Sequence, residues 1–389
     1  MNILLVIADL GLGGAQQVVI NLANEFERQN HKVWIFDIKP ELRAEGMVSR
    51  INKKVTLISR NSKDLKLNFF ERAIAYIKNK LSIKIKAKDI IFKKHEAKLK
   101  FILLFNKIDF INSHICWADF YVSKSLKNHH DKWIISLHAS YNNLFLNYPK
   151  DFLQISKTAL LNAKKIIYIH DAGIAELNKT LGINLKNTKK IYNGVCKIKS
   201  QNNIKRKNLG IANDDIVILC ASRAIIEKGW FELSEAFSKL NNKKMKLIFA
   251  GDGLILKEIK EMYSYNKSIL FLGFQKHIND IIKLSDIVCL PSYSEALPTI
   301  IIESIYNKKH IIATEVGEVN NMLNNKFGNC GILIKNCKGK KLVDELLINL
   351  KKFSKNEIKL NESSLNYAIE VFAIKKMAES YINLIKTKI

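Results

Sequence analysis

Short apolar runs, each closed by a small or polar residue, recur along the chain with helical periodicity between them. The first, NILLVIA (2–8), ends near glycine and is followed by GLGGAQQVVINLANEFERQ, in which the apolar positions fall on one helical face. A buried strand, a glycine loop and an amphipathic helix are the expected unit. HKVWIFDI (31–38), DFINSHI (109–115), KWIISLH (132–138) and KIIYIH (165–170) repeat the strand signal, with helical stretches among them. After KKIYNGV (189–195) the chain turns polar and lysine-rich (CKIKSQNNIKRKNLGI), and the pattern then restarts with DIVILCAS (215–222), MKLIFAG (245–251), SILFLG (268–273) and DIVCLPS (286–292). Strands alternating with helices predict an α/β fold of two doubly wound, Rossmann-like domains with a boundary near residue 197.

Length agrees with that division, since 389 residues at 48% hydrophobic composition exceed what one ordinary core supports. A two-domain enzyme can keep its site in a cleft. No window of about eighteen apolar residues exists, and the opening MNILLVIADLG lacks the basic flank and cleavage site of a signal peptide, so a cytoplasmic chain is expected. The 6 cysteines are scattered with no C-x-x-C pair, which argues against a disulfide framework or a zinc site. A formal net charge of +27 implies attraction to a polyanion: nucleic acid, a membrane surface or a phosphorylated substrate. The excess is spread over both halves of a chain rich in Lys, Asn and Ile, so compositional bias explains it equally well. The lysine-rich stretch 62–100 has 12 basic residues against 4 acidic ones. That first-domain insertion is expected to lie on an anionic membrane or to cover the sheet as solvated helices.

Two stretches carry chemistry. In GLGGAQQ, the glycines let the backbone approach a ligand, while the N-terminus of the helix that follows offers unpaired N–H groups to an anion. A dinucleotide fingerprint requires glycine at the sixth place from Gly11; Gln16 stands there, which weighs against a nicotinamide or flavin enzyme. In SYSEALPTIIIESI (293–306), Pro298 suits the first turn of a helix, with Glu295 in the loop before it and Glu303 inside it. Backbone N–H groups of Leu297, Thr299 and Ile300 would then point from the helix start toward a diphosphate, with a carboxylate on each side to accept from hydroxyls.

The spacing of those two acids, E-x7-E, resembles the donor-site signature of the retaining glycosyltransferases of family 4, which have the GT-B fold. SRAIIEKGW (222–230) is similar to the family's basic motif, FAGDGL (249–254) to its glycine-aspartate-glycine turn and GLGGAQQVVINLA to its N-terminal loop, while ISLHAS, IYNGV, FLGF and GNCGILI follow the family's order. The likeness spans roughly 1–335, and NYAIEVFAIKKMAESYINLI resembles the closing helix that crosses back to the first domain. The resemblance implies an acceptor domain over 1–197, with a terminal helix at 366–389 packed on it, and a nucleotide-sugar donor domain over 198–365. It gives Arg223 and Lys228 the donor diphosphate, Glu303 the ribose hydroxyls and Glu295 the donor sugar, with His138 nearby as a hydrogen-bonding group. Gly14, Leu297 and Thr299 would add backbone contacts. Neither a metal nor a cofactor is implied, because two cations can stabilise the leaving diphosphate. Asp252 fits a turn role.

The implied activity is retaining transfer of a sugar, from a UDP-sugar in preference to a GDP-sugar, onto a lipid-linked, lipopolysaccharide or capsule glycan at the cytoplasmic face of the inner membrane. Two departures bear on the sugar: Ala296 follows the first acid where relatives have glycine, and in EVGEVNNML (315–323) Glu318, Asn320 and Asn321 replace the usual glycine, proline and glutamate. A nucleotide-sugar epimerase of GT-B fold is the alternative. A basic nucleic-acid binder fits less well, since lysine dominates and no recognition motif is present.

Overall fold

The computed structural model describes residues 1–58, 99–103, 106–126, 130–138, 150–196 and 204–386. The basic 62–100 stretch lies almost wholly outside the described residues. The chain divides into two compact units, 1–194 with 374–389 and 195–373.

Unit 1 begins as the hydrophobic pattern predicts. β1 (Asn2–Ile7) leads through a glycine loop into α1 (Gly14–Arg28) and β2 (Lys32–Asp37), then the single turn α2 (Glu45–Val48) and β3 (Thr56–Ile58). β4 (Phe110–His114), α3 (Cys116–Ser125), β5 (Trp133–Ser136), α4 (Lys150–Asn162), β6 (Lys165–Tyr168), α5 (Asp171–Leu181) and β7 (Thr188–Lys190) follow. All strand pairs are parallel, in the order β3-β2-β1-β4-β5-β6-β7. Such strands are covered on both faces, which is why β1 reads as a continuous apolar run instead of an alternation.

β4 is the exception: Asn112, Ser113 and His114 are polar and wholly buried. Each finds partners across the sheet. Asn112 Nδ2 donates to the Ile134 carbonyl at 3.0 Å and to Ser136 Oγ at 2.9 Å. Ser113 Oγ accepts from Trp133 Nε1 at 2.8 Å and donates to Asp119 Oδ1 at 2.6 Å.

Unit 2 repeats the plan. β8 (Ile216–Ala221), α6 (Trp230–Leu240), β9 (Met245–Ala250), α7 (Leu256–Met262), β10 (Ile269–Phe271), α8 (Ile278–Leu284), β11 (Ile287–Leu290), α9 (Thr299–Tyr306) and β12 (His310–Thr314) run in sequence. Next come α10 (Val319–Leu323), the small hairpin β13 (Asn324–Asn325) and β14 (Gly328–Asn329), β15 (Ile332–Ile334), α11 (Gly339–Ser354) and α12 (Glu362–Val371). The sheet is parallel, in the order β10-β9-β8-β11-β12-β15. Pro298 stands just before α9, at its N-cap, so Thr299 and not the proline opens the helix.

Where a single closing helix was expected over 366–389, there are two. α12 ends at Val371, the chain crosses at Ala373, and α13 (Ile374–Lys386) completes unit 1. α13 packs on α1: Tyr381 is 1% exposed, meets Phe26 edge-on at 6.5 Å, and shares a hydrogen bond of 2.9 Å with Ser136 Oγ. At the crossing, Val195 N–H donates to the Phe372 carbonyl at 3.0 Å, and Val195 and Ala373 form a parallel bridge. Among the described residues no helix is long and apolar enough to span a membrane.

Burial of Asp119 raises its carboxyl from 3.8 to about 7, against the opposing hydrogen bond from Ser113. A raised folded-state value means that unfolding releases a proton between those limits, so this group's contribution to stability falls as pH rises through that window. Asp119→Asn keeps the Oδ1 acceptor without the charge. Its melting temperature, relative to the parent chain, is expected to climb from about pH 4 to about pH 7, by up to a few kcal/mol in stability. A difference that stays flat across that range would contradict the buried neutral acid.

Candidate functional site

In unit 2 the strand order reverses at β8 and β11, so the loops leaving their C-terminal ends diverge around a gap, the place where open α/β sheets bind ligands. The loop after β8 brings Arg223 and Lys228 to that gap; the loop after β11 brings Glu295 and leads into α9.

A glycine joins the two. Gly229 has φ +66°, and a Cβ there would lie 2.1 Å from the Pro291 carbonyl oxygen, so only glycine permits this approach. Tyr293 N–H donates to the Glu227 carbonyl at 2.8 Å and extends the seam. Lys228 Nζ is thereby held 2.5 Å from Glu295 Oε1, and Ser292 Oγ donates to the same oxygen at 2.7 Å. Thr314 Oγ1, at the end of β12, donates to the carbonyls of Ser292 and Leu290 and braces the loop from beneath. The two charged side chains are 12% and 13% exposed, so solvent screens them far less than a surface pair. Arg223 is exposed and makes no ion pair among the described residues.

The departures found in 315–323 form the other wall. Gly317 has φ +57°, and a Cβ there would lie 2.2 Å from the Glu295 carbonyl oxygen. Glu318 N–H donates to the Ala296 carbonyl at 2.9 Å, so the Glu295–Ala296 backbone is gripped from this side too. The substituted residues pair with one another and with their neighbours. Asn321 Nδ2 donates to the buried Glu318 carboxylate at 2.9 Å and Asn320 Nδ2 to Glu315 at 2.7 Å.

Leu297 is buried and offers only its backbone, while Thr299 is half-buried at the first turn of α9, where N–H groups lack helical partners. Glu303 sits in the next turn. It lines a cavity of about 40 Å³ with Asn279, Lys283, Tyr306 and Asn307, beside Val195 and Cys196. Asp252 is in the turn after β9: Ala224 N–H donates to its carbonyl at 2.9 Å and Gly253 N–H to its carboxylate at 2.7 Å.

Unit 1 has its own reversal at β1 and β4. Gly14 opens α1 in open space. The loop before it is tied by Asp9, whose Oδ1 accepts from Gly11 N–H at 2.9 Å and from Gln16 Nε2 at 3.1 Å. Gln16, the residue that breaks the dinucleotide pattern, is therefore a strut of this loop. His138 follows β5, and its Nε2 lies 2.8 Å from Nδ1 of the buried His114 at the end of β4. Burial drives both imidazoles toward the neutral form, His138 down to about 4 and His114 well below its ordinary value, where the His138 ring adds to the effect.

Sequence reasoning missed Ser292, Thr314, Gly229, Gly317 and His114. Ser292 was the most accessible, three residues before Glu295 at a strand end.

Substituting Gly317 by Ala forces a side chain into left-handed backbone and against a carbonyl. A loss of about 1–3 kcal/mol is expected, read as a fall of several degrees in Tm. Gly14→Ala, with nothing within 4 Å of the new methyl, is the control and should leave Tm nearly unchanged. Equal shifts would refute the clamp.

Residues 12–196 match the family model "Glycosyltransferase Family 4" and residues 201–370 the model "Glycosyl transferases group 1". The chain is similar to TuaC of Bacillus subtilis, described as a teichuronic acid biosynthesis glycosyltransferase, with 29% identity over 49% of this chain and 48% of the relative. It is also similar to the N,N'-diacetylbacillosaminyl-diphospho-undecaprenol alpha-1,3-N-acetylgalactosaminyltransferase of Campylobacter jejuni, with 24% identity over 57% of this chain and 56% of that one. The chain thus spans about half the length of these curated relatives. Among solved structures, HepE of Anabaena in complex with UDP and glucose superposes over 100% of both chains with a TM-score of 0.74 at 17% identity, which shows the fold. With one family model over each unit and a match to HepE along its whole length, the chain belongs to the GT-B glycosyltransferases that pair a family 4 domain with a group 1 domain.

Proposed function

We propose that the protein transfers a sugar from a UDP-sugar to a lipid-linked surface glycan, with retention of anomeric configuration. The observation that supports this reading most is the Lys228–Glu295–Ser292 knot at the β8/β11 reversal, beside the start of α9. UDP is favoured over GDP because HepE is described with UDP and glucose, and a lipid-linked acceptor because the Campylobacter relative is named for one.

Each residue then has a role. Arg223, exposed, supplies a planar fork for phosphate oxygens; Lys228 gives one ammonium hydrogen to Glu295 and, at 3.5 Å, another to the Ser294 carbonyl, and keeps a third. Together with the first N–H groups of α9, they stabilise charge that grows on the diphosphate as the sugar leaves. Glu295 uses Oε1 twice, for Lys228 and Ser292, and so presents Oε2 to a sugar hydroxyl. An acid fixed in this way positions the sugar and offsets positive charge at its anomeric carbon; it is poorly free to swing in as a nucleophile. Retention then follows from attack on the face the diphosphate leaves. Glu303, one turn along, accepts from the ribose hydroxyls. From unit 1, the backbone at Gly14 and the neutral imidazole of His138 are assigned hydrogen bonds to sugar hydroxyls. An anionic membrane would gather both this basic chain and its acceptor.

Calorimetry tests the donor assignment. UDP is expected to bind more tightly than GDP. Lys228→Ala or Glu303→Ala should weaken UDP by about tenfold or more, the loss of a charged hydrogen bond, with folding intact. Undiminished affinity in both would overturn the assignment. Slow hydrolysis of UDP-glucose, followed by proton NMR, reads the stereochemistry: α-glucose released first supports retention, and β-glucose first refutes it.

A further inference from the structure

We propose that His114 is a positioning residue, whose Nδ1 holds the imidazole of His138 and decides which nitrogen of that ring carries the proton. The inference rests on the reading above that His138 serves sugar transfer.

His114 Nδ1 and His138 Nε2 are 2.8 Å apart, and the rings lie nearly parallel, 20° between planes and 5.1 Å between centroids. Two neutral imidazoles meet nitrogen to nitrogen only if one brings N–H and the other a lone pair. The tautomers are therefore interlocked. When His114 donates, the proton of His138 sits on Nδ1; when His138 donates, its Nδ1 is bare. A second proton on either ring would set two N–H groups against each other or bury a charge, and the burial that lowers both values disfavours it. His138 Nδ1 and His114 Nε2 are both buried with no partner among the described residues, so the hydrogen bond between the rings is what ties the donor or acceptor character of His138 Nδ1 to His114.

His114 itself cannot easily adjust. It pairs with Ser136 in the parallel β4–β5 register, and the strands are pinned below it by Asn112 to Ile134 and Ser136, and by Tyr381 to Ser136. Those bonds bury polar atoms in a sheet that would otherwise be apolar at little cost. They are what a strand needs if one ring must be held at a fixed height beside another.

Three substitutions separate positioning from packing. In His114→Asn an amide atom takes the place of Nδ1; in His114→Gln it reaches the place of Nε2; His114→Phe keeps only the ring. Ring nitrogen shifts of His138, read by long-range 15N–1H NMR on the full histidine-labelled chain, are expected to show one tautomer in the parent and in His114→Asn. An average of two is expected with Gln or Phe. UDP release from UDP-glucose should be nearly retained in Asn and fall about tenfold or more in kcat with Gln and Phe, with the donor KM little changed. The proposal is overturned if His138 keeps its parental shifts in the Gln or Phe variant, or if Asn and Gln lose activity equally. If Phe does not fold, the contrast between Asn and Gln decides. Should the parent neither bind nor release UDP, the transfer reading fails, while the His138 shifts still decide whether His114 sets the tautomer.

Discussion

Neighbouring parallel strands that receive their connections from opposite directions leave a gap at their ends, and the site in unit 2 depends on how the gap between β8 and β11 is closed. No strand bond reaches that far. What closes it is a carbonyl, that of Pro291, seated where the side chain of residue 229 would be. Because the approach is backbone to backbone, it fixes both loops to within a few tenths of an ångström. A contact between flexible side chains would leave the ammonium and carboxylate room to wander; here they are delivered to each other by the fold, and Ser292 and Thr314 only refine the result.

The two units share a topology and differ in the side chains at their reversal points. Unit 2 gathers formal charge at its reversal point and keeps it only partly sheltered, so a polyanion can displace water there without meeting a bare low-dielectric wall. Along β4 and β5, unit 1 buries an amide, hydroxyls and two imidazoles, with a carboxyl that burial pushes up to about 7 beside them. Neutral hydrogen-bonding groups can pair with hydroxyls without attracting anions, whereas a sheltered ammonium attracts them. The same scaffold thereby supports two kinds of recognition, set by a handful of residues at strand ends.

Much of this was legible in the chain. Long apolar runs located β1, β2, β4, β5, β6, β8, β9, β10 and β11 because buried parallel strands have no polar face to disguise them. The strands Thr56–Ile58 and Thr188–Lys190 were not visible: each is three residues of an edge, only half-buried at best, and leaves no apolar run to read, whereas the edge strand β10 lies in the run SILFLG. For the site, E-x7-E and the basic loop could each be seen, and the structure sets Lys228 against Glu295. That contact is a property of strand order, since the residues are 67 apart and meet only because β8 and β11 are neighbours. His114 was hidden for a like reason: DFINSHI could be read as a strand, but the partner of His114 lies at the end of the next one. The glycines were seen as turn formers, but which of them admits a carbonyl cannot be read from one dimension.

The double crossing at Val195 and Ala373 has a consequence for how the molecule is made. Unit 2 is continuous and can close once residue 373 has left the ribosome. Unit 1 cannot: the surface of α1 around Phe26 and the hydroxyl of Ser136 wait for Tyr381, which is made only after all of unit 2. For the time taken to translate the whole of unit 2, the first-made unit keeps an apolar groove uncovered. α13 acts as the latch that ends this exposure, so its loss injures the oldest part of the chain rather than the newest.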